Sequence, residues 1–352
     1  MKRQERAFSL FLLVYHLFFA VIAWKYYVDH GGDAQRYWQL SKDWGSYLNV
    51  GTDVIKFINY PFTSILHLPF WCGFLLYSLI GFYAIYELYR FALSYIKPSS
   101  ILSSALLMFV FLLPNLHFWT SVIGKEPLVF LAITWIIISY SEKKYTTFKF
   151  LFGAILLILI RPHVALFLLI SIAVTMIFND KKSFPQKMIF AVAALAMSVG
   201  LYFMTIKLLE RNPFNIEYIL KSNEWSLLAF KRAGSYVPMI HYNVFERVFA
   251  LNFRPLFLDS KTVFDFVLSA ENFIVLILFF AAIVIYIIYY RKIKLDTFAQ
   301  VALLFFLVSS LFFIQRYSCL GIFVRTKMMY MPFLLITALQ IIGQVKRQNR
   351  SL

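Results

Sequence analysis

Apolar residues in this chain gather into long blocks near 8–27, 66–89, 101–120, 127–140, 149–160, 164–178, 188–207, 271–290, 297–314 and 328–345. Most of them approach the roughly 20 residues an α-helix needs to cross a hydrocarbon layer of about 30 Å. Backbone groups in lipid must be satisfied within their own segment, so the pattern predicts an all-α polytopic membrane protein with about ten transmembrane helices. The fourth, fifth and sixth blocks are short, and some of them are expected to stop within the membrane thickness and border a wet cavity. Two long polar loops interrupt the blocks, at about 28–65 and 208–270. Within the second, Glu210 to Tyr218 and Ile240 to Leu251 are predicted as short amphipathic helices lying on the bilayer. Residues 1–352 read as a single integral membrane domain with no internal repeat and no separate soluble domain.

Composition agrees: 61% of the 352 residues are hydrophobic and 20% aromatic, above the apolar share of a soluble domain. The net charge of +17 is distributed by topology. Short connections at 1–7, 90–100, 141–148, 179–187, 291–296 and 346–352 hold pairs such as Lys143-Lys144, Lys181-Lys182, Arg291-Lys292 and Lys346-Arg347, whereas the two long loops carry most of the acids. The positive-inside rule then predicts an inner-membrane protein with both termini cytoplasmic and the long loops outside. Cations scattered among membrane loops do not make the continuous basic face that nucleic acid requires, so that class of partner is set aside. Lys2, Arg3 and Arg6 precede the first block as in a secretory signal, but Ala20 to Lys25 offers no small-residue cleavage site, and an uncleaved first helix is expected. Cys72 and Cys319 lie in or beside apolar blocks without CxxC spacing, which indicates neither a metal site nor a disulfide scaffold.

Ionisable residues near the hydrocarbon boundary carry the functional signal, because each costs at least about 2–3 kcal/mol at mid-depth and needs a partner or water. In His30-Gly31-Gly32-Asp33-Ala34-Gln35-Arg36-Tyr37-Trp38, two glycines let the backbone turn and set Asp33 at the membrane face, with Arg36 and Tyr37 beside it. Pro114 to Pro127 reads as an outward helix-loop-helix connection presenting Lys125 and Glu126 toward the same compartment as Asp33; the plainer alternative is that these two pair with each other or snorkel. Arg161-Pro162-His163 sits between apolar runs, so Arg161 needs a fixed anion: Glu126, Asp33 or, as the preferred reading, a substrate phosphate, for which a guanidinium offers bidentate geometry. His163 is read as a packed or hydrogen-bonded histidine. Arg232 and Arg254 are the anion contacts the second long loop could offer, and Arg316, Arg325 and Lys327 form a further cationic cluster suited to phosphate or to anionic headgroups.

These residues together resemble the GT-C class of polytopic glycosyltransferases, of the bacterial envelope-polysaccharide type. The resemblance is carried by Gly32-Asp33-Ala34 with Tyr37, by Asp43-Trp44 and Tyr60-Pro61, by Pro114 to Glu126, by Arg161-Pro162 and by Phe253-Arg254-Pro255. It implies transfer of a sugar from a polyprenyl-phosphate-linked donor to a glycan or lipid-linked acceptor on the extracytoplasmic face, among membrane lipids. Asp33 would be the catalytic base. Lys125, Arg161, Arg325, Lys327, Arg316 and Arg254 would hold the donor phosphate, with Arg36, Tyr37, Glu126 and His163 in support. The chain departs from many members in lacking a second acid close to Asp33, the next being Asp43 and Asp53. No cofactor is required by the pattern; a divalent metal is compatible with it, although one loop aspartate is a thin ligand set. A polymerase acting on polyprenyl-diphosphate-linked repeat units, a lipid-linked saccharide transporter and a noncatalytic envelope scaffold are the competing readings.

Overall fold

The computed structural model describes residues 2–98, 100–178, 183–208 and 216–348. The described residues are helical throughout, with one isolated bridge between Tyr236 and Cys319 and no strand. Each of the ten apolar blocks holds a helix. Among the described residues five helices are long and apolar enough to cross a membrane, or six if one bent pair counts as a span. The basic pair Lys181-Lys182 and the first part of the expected surface helix, 210–215, lie outside the described residues.

The chain divides into two compact units, Met1–Arg161 and Pro162–Leu352. The first contains α1 (Lys2–His30), α2 (Asp33–Trp38), α3 (Thr52–Tyr60), α4 (Phe70–Ile96), α5 (Ile101–Val110), α6 (Pro114–Trp119), α7 (Lys125–Ser141) and α8 (Phe148–Ile160). The stretch Ile101–Trp119 is long and apolar enough to cross as one span, and within it Pro114 at the first position of α6 interrupts the hydrogen-bond ladder between α5 and α6. Ser100 and Ser103 form a reciprocal cap that starts α5. α7 is buried over almost its whole length between α4 and α8, which explains why it is apolar on all sides.

Close backbone approach seats α4. A methyl group on Gly81 would lie 2.0 Å from the carbonyl oxygen of Thr120, and one on Gly73 would lie 2.5 Å from Ile123 and 2.6 Å from the Trp38 ring. These two glycines, eight residues apart on one face, let the segment between α6 and α7 rest directly on the helix. Beneath it lies a buried polar cluster joining three helices. The Nδ1 atoms of His16 on α1 and His117 on α6 are 2.9 Å apart, His16 Nε2 faces the carbonyl of Ser78 at 3.0 Å and His117 Nε2 that of Phe111 at 2.7 Å.

The second unit contains α9 (Pro162–Ile177), α10 (Phe184–Leu208), α11 (Ile216–Leu228), α12 (Val244–Phe253), α13 (Val263–Ile288), α14 (Thr297–Phe313), α15 (Leu320–Lys327) and α16 (Met331–Gln348). α9 packs on α10 and α14, and α13 and α14 pack on α16. α15 and α16 meet at a 60° bend. Side-chain caps by Asn243, Thr262 and Asp296 fix the starts of α12, α13 and α14. The surface helix expected at Ile240–Leu251 is instead a short 3₁₀ turn at Met239–His241 followed by α12, because Asn243 and Glu246 form a capping box that begins the helix afresh.

Candidate functional site

In the first unit the candidate residues sit where helix ends gather. Gly31 and Gly32 have φ values of +67° and +125°, a left-handed region costly for other residues, and the reversal they make starts α2 directly at Asp33. Asp33 forms an ion pair with Arg36 one turn on; the Arg36 side chain is 75% exposed and that of Asp33 31%. Tyr37, one turn after Asp33 on the same face, is buried. Its carbonyl accepts a 2.9 Å hydrogen bond from Asn59 on α3, whose own oxygen accepts from Tyr77 on α4 at 2.9 Å. The short helix bearing the acid is thereby tied to a membrane-length one.

The Tyr37 ring rests against Gly124, where a methyl group would lie 3.5 Å from the ring and 3.2 Å from the Glu126 carboxylate. Glu126, in the first turn of α7, is 1% exposed and pairs with Arg161 at 2.5 Å; the Arg161 side chain, just past the end of α8, is 11% exposed. Of the anions the sequence offered to Arg161, Glu126 is one it pairs with in the structure. The reason is local: the start of α7 and the end of α8 are adjacent, and a carboxylate in so buried a place requires a cation. Lys125 donates to Thr52 Oγ1 at 2.7 Å, at the start of α3. The Gly51 N–H donates to the Leu159 carbonyl at 2.7 Å and holds the start of α3 against the end of α8. Asp33, Tyr37, Lys125, Glu126 and Arg161 thus belong to one continuous group of helix ends.

The second unit employs its cations differently. The Lys327 ammonium is buried and donates to the carbonyls of Asn252 (3.4 Å) and Arg254 (3.2 Å) and to Asn272 Oδ1 (2.5 Å). The two carbonyls are the terminal acceptors of α12, which have no intrahelical partner, and a cation there also complements the helix dipole. Tyr330 donates to Asn252 Oδ1 at 2.9 Å, and Asn272 donates to the Pro255 carbonyl at 2.8 Å. Arg254 makes a forked pair with Asp259 and also donates to the Tyr242 hydroxyl at 3.3 Å. Burial alone would raise the Asp259 carboxyl, but the Arg254 hydrogen bond, the Leu256 N–H and the guanidinium charge outweigh it and hold the group below the usual carboxylate range.

Lys327 and Arg254, expected to hold phosphate, are engaged in this internal network. A buried backbone turn with orphan carbonyls is invisible in a linear reading. Arg316 reaches Asn223 at 3.5 Å, Arg325 is half-buried in the last turn of α15, and His163 stacks among Phe167, Phe312 and Phe313. Cys72 and Cys319 are not bridged.

Residues outside the sequence-derived set are Thr52, the His16–His117 pair and the Asn252–Asn272–Tyr330 group. His16 carried a readable signal, an ionisable side chain inside an apolar run. The asparagines carried none, since their role depends on the 60° bend. Among the described residues no group of three or more His, Cys, Asp and Glu side chains could hold a metal ion, so the divalent metal allowed by the sequence finds no ligand set there. No family model, curated protein or solved structure matches the chain.

Proposed function

We propose that the chain is a membrane glycosyltransferase of about ten transmembrane helices, set in the inner membrane with both termini cytoplasmic, that moves a sugar from a polyprenyl-phosphate donor to an acceptor on the extracytoplasmic face. The shorter apolar helices α7, α8, α9 and α14 supply the crossings beyond the five or six long ones. In the reaction, Asp33 takes the proton of an acceptor hydroxyl as its oxygen attacks the anomeric carbon. The bond from that carbon to the phosphate oxygen breaks, and polyprenyl phosphate leaves with the electron pair. Lys125 and Arg36 balance the charge growing on the departing phosphate. Glu126 and Arg161 serve as the buried pair that fixes the start of α7, and Lys125 with it.

One observation supports this reading above the others: the helix bearing Asp33 rests through Tyr37 on Gly124, immediately before Lys125 and Glu126. A proton acceptor and a cation thus come from neighbouring helix ends although some ninety residues separate them in sequence.

The test is incubation of the purified protein with a panel of polyprenyl-phosphate and polyprenyl-diphosphate sugars and a glycan acceptor, followed by release of labelled product. Asp33→Asn is expected to lower turnover by about 10²–10⁴-fold, the usual worth of a general base, while donor binding and thermal unfolding stay as in the wild type. Undiminished turnover in that variant removes Asp33 from the mechanism. Turnover confined to diphosphate-linked repeat units makes the protein a polymerase instead, and passage of lipid-linked saccharide across vesicles without new glycosidic bonds makes it a transporter.

A further inference from the structure

At the other end of α7, about 25 Å from Lys125 at 1.5 Å per helical residue, the first unit contains a cavity of about 640 Å³ between the ends of α4 and α7 and the start of α8. Its charged lining does not cancel. Glu87 pairs with Lys149 at 2.5 Å and Glu142 with Lys144 at 2.7 Å, while Arg90 lies over the Tyr86 ring and has no carboxylate partner among the described residues. Three cations face two carboxylates, and the surplus charge is an exposed guanidinium, whose planar fork matches a phosphate.

The rest of the wall is aromatic. Trp135 and Phe148 line the cavity and make a ring contact with each other. From Phe148 an apolar stripe continues along α8 through Leu151, Phe152 and Ile155, all exposed. That spacing of i, i+3, i+4 and i+7 follows one face of the helix. An open, positively biased polar chamber that leads directly onto an apolar stripe as long as two helical turns has the form of an amphiphile, with a charged head and a hydrocarbon tail. A free phosphate compound would use the chamber and leave the stripe unexplained.

We propose that this cavity binds the headgroup of an anionic phospholipid, that Arg90 is its phosphate contact, and that an acyl chain lies along the α8 stripe. Basic pockets between helices at the cytoplasmic face are a recurring form of lipid recognition, and the positive-inside pattern puts this end of α7 on that face. The site is separate from the proposed sugar-transfer site and does not depend on that reaction.

The test is native mass spectrometry of the full chain in a neutral detergent, with phosphatidylglycerol and phosphatidylcholine of identical acyl chains. The wild type is expected to retain phosphatidylglycerol about tenfold over phosphatidylcholine, the worth of one charge-assisted contact. Arg90→Gln is expected to erase that preference with phosphatidylcholine retention unchanged. Arg90→Lys, which keeps the charge but loses the fork, should fall between them and serves as the readout if the glutamine variant does not fold. Lys25→Gln, an exposed cation lost elsewhere, should leave the preference intact. Equal retention of the two lipids by the wild type, an unchanged preference in Arg90→Gln, or the same loss in Lys25→Gln overturns the proposal. Displacement of the lipid by millimolar glycerol phosphate also overturns it, since it assigns the site to a soluble phosphate.

Discussion

The two polar regions of this molecule are built by opposite means. In the first unit the candidate residues are held by close backbone packing: Gly81 accepts the Thr120 carbonyl against its α-carbon, Gly73 accepts Trp38 and Ile123, and only then does the segment reach Lys125 and Glu126. In the second unit a side chain does the holding. Lys327 threads into the end of α12 and satisfies its carbonyls, with Asn252, Asn272 and Tyr330 completing the network. The consequence for chemistry is direct. A cation whose donors already reach buried carbonyl and amide oxygens is a structural strut, whereas Lys125 donates to the Thr52 hydroxyl at the start of α3, nearer the surface. Charge count alone does not distinguish the two units; the hydrogen-bond partners of Lys327 do, because they are internal to the fold.

Breaking the backbone contact is expected to have the largest effect. Gly81→Ala places a methyl group 2.0 Å from a main-chain oxygen that has no flexible end to move away. Overpacking of this kind costs about 3 kcal/mol or more when the neighbour cannot yield. Thermal unfolding in detergent should show a large fall in the midpoint, and turnover should fall with it because the start of α7 is displaced. Gly200→Ala, where a methyl group meets nothing within 4 Å, should leave the midpoint almost unmoved. Equal midpoints for the two variants would show that α4 is not seated by that approach.

The counterpart in the second unit is Lys327→Met, which keeps the length of the side chain and removes its donors. Two carbonyls and one amide oxygen then lose a buried partner. Removing the cation also leaves the buried Glu271 carboxylate without its neighbouring positive charge, so the expected net destabilisation is about 3 kcal/mol. Sugar-transfer activity per folded molecule should stay near that of the wild type. A variant that folds as well as the wild type but no longer binds the donor would return Lys327 to the phosphate site and undo the contrast.

Much of the frame was legible in the sequence, because its main determinant is linear. Unbroken apolar length marks helices, and each apolar block does hold one. The turn at Gly31-Gly32 ahead of Asp33 was equally readable, since few residues other than glycine tolerate those dihedrals. What stayed hidden was pairing across distance. Arg161 presented several possible anions, and only the adjacency of the start of α7 to the end of α8 selects Glu126. Lys327 read as one more outer cation because nothing in its neighbours along the chain reports that the α12 carbonyls lie within reach of its ammonium. The break after α5 was half-legible: Pro114 marked an interruption, and the apolar length on both sides still suffices for the single crossing read from it.

The smallest expected effect concerns pH, and it sharpens the contrast by asking how much of the second unit is held by a titratable pair. The Asp259 carboxyl is held below its ordinary range in the folded chain, chiefly by the hydrogen bond and charge of Arg254 acting against burial. A group whose folded value is depressed contributes stability that is fully present above its unfolded value, about 4, and is lost as pH falls through the lower folded value. The wild type should therefore keep its melting temperature down to about pH 5 and lose stability below about pH 4 as this carboxylate takes up a proton. Asp259→Asn removes that part of the slope and should cost about 1–3 kcal/mol at neutral pH, where the forked pair with Arg254 is intact in the wild type. If the asparagine variant and the wild type show the same acid slope, the Arg254–Asp259 pair contributes nothing that titrates, and the uncharged hydrogen bonds of Asn252, Asn272 and Tyr330 carry this region without it.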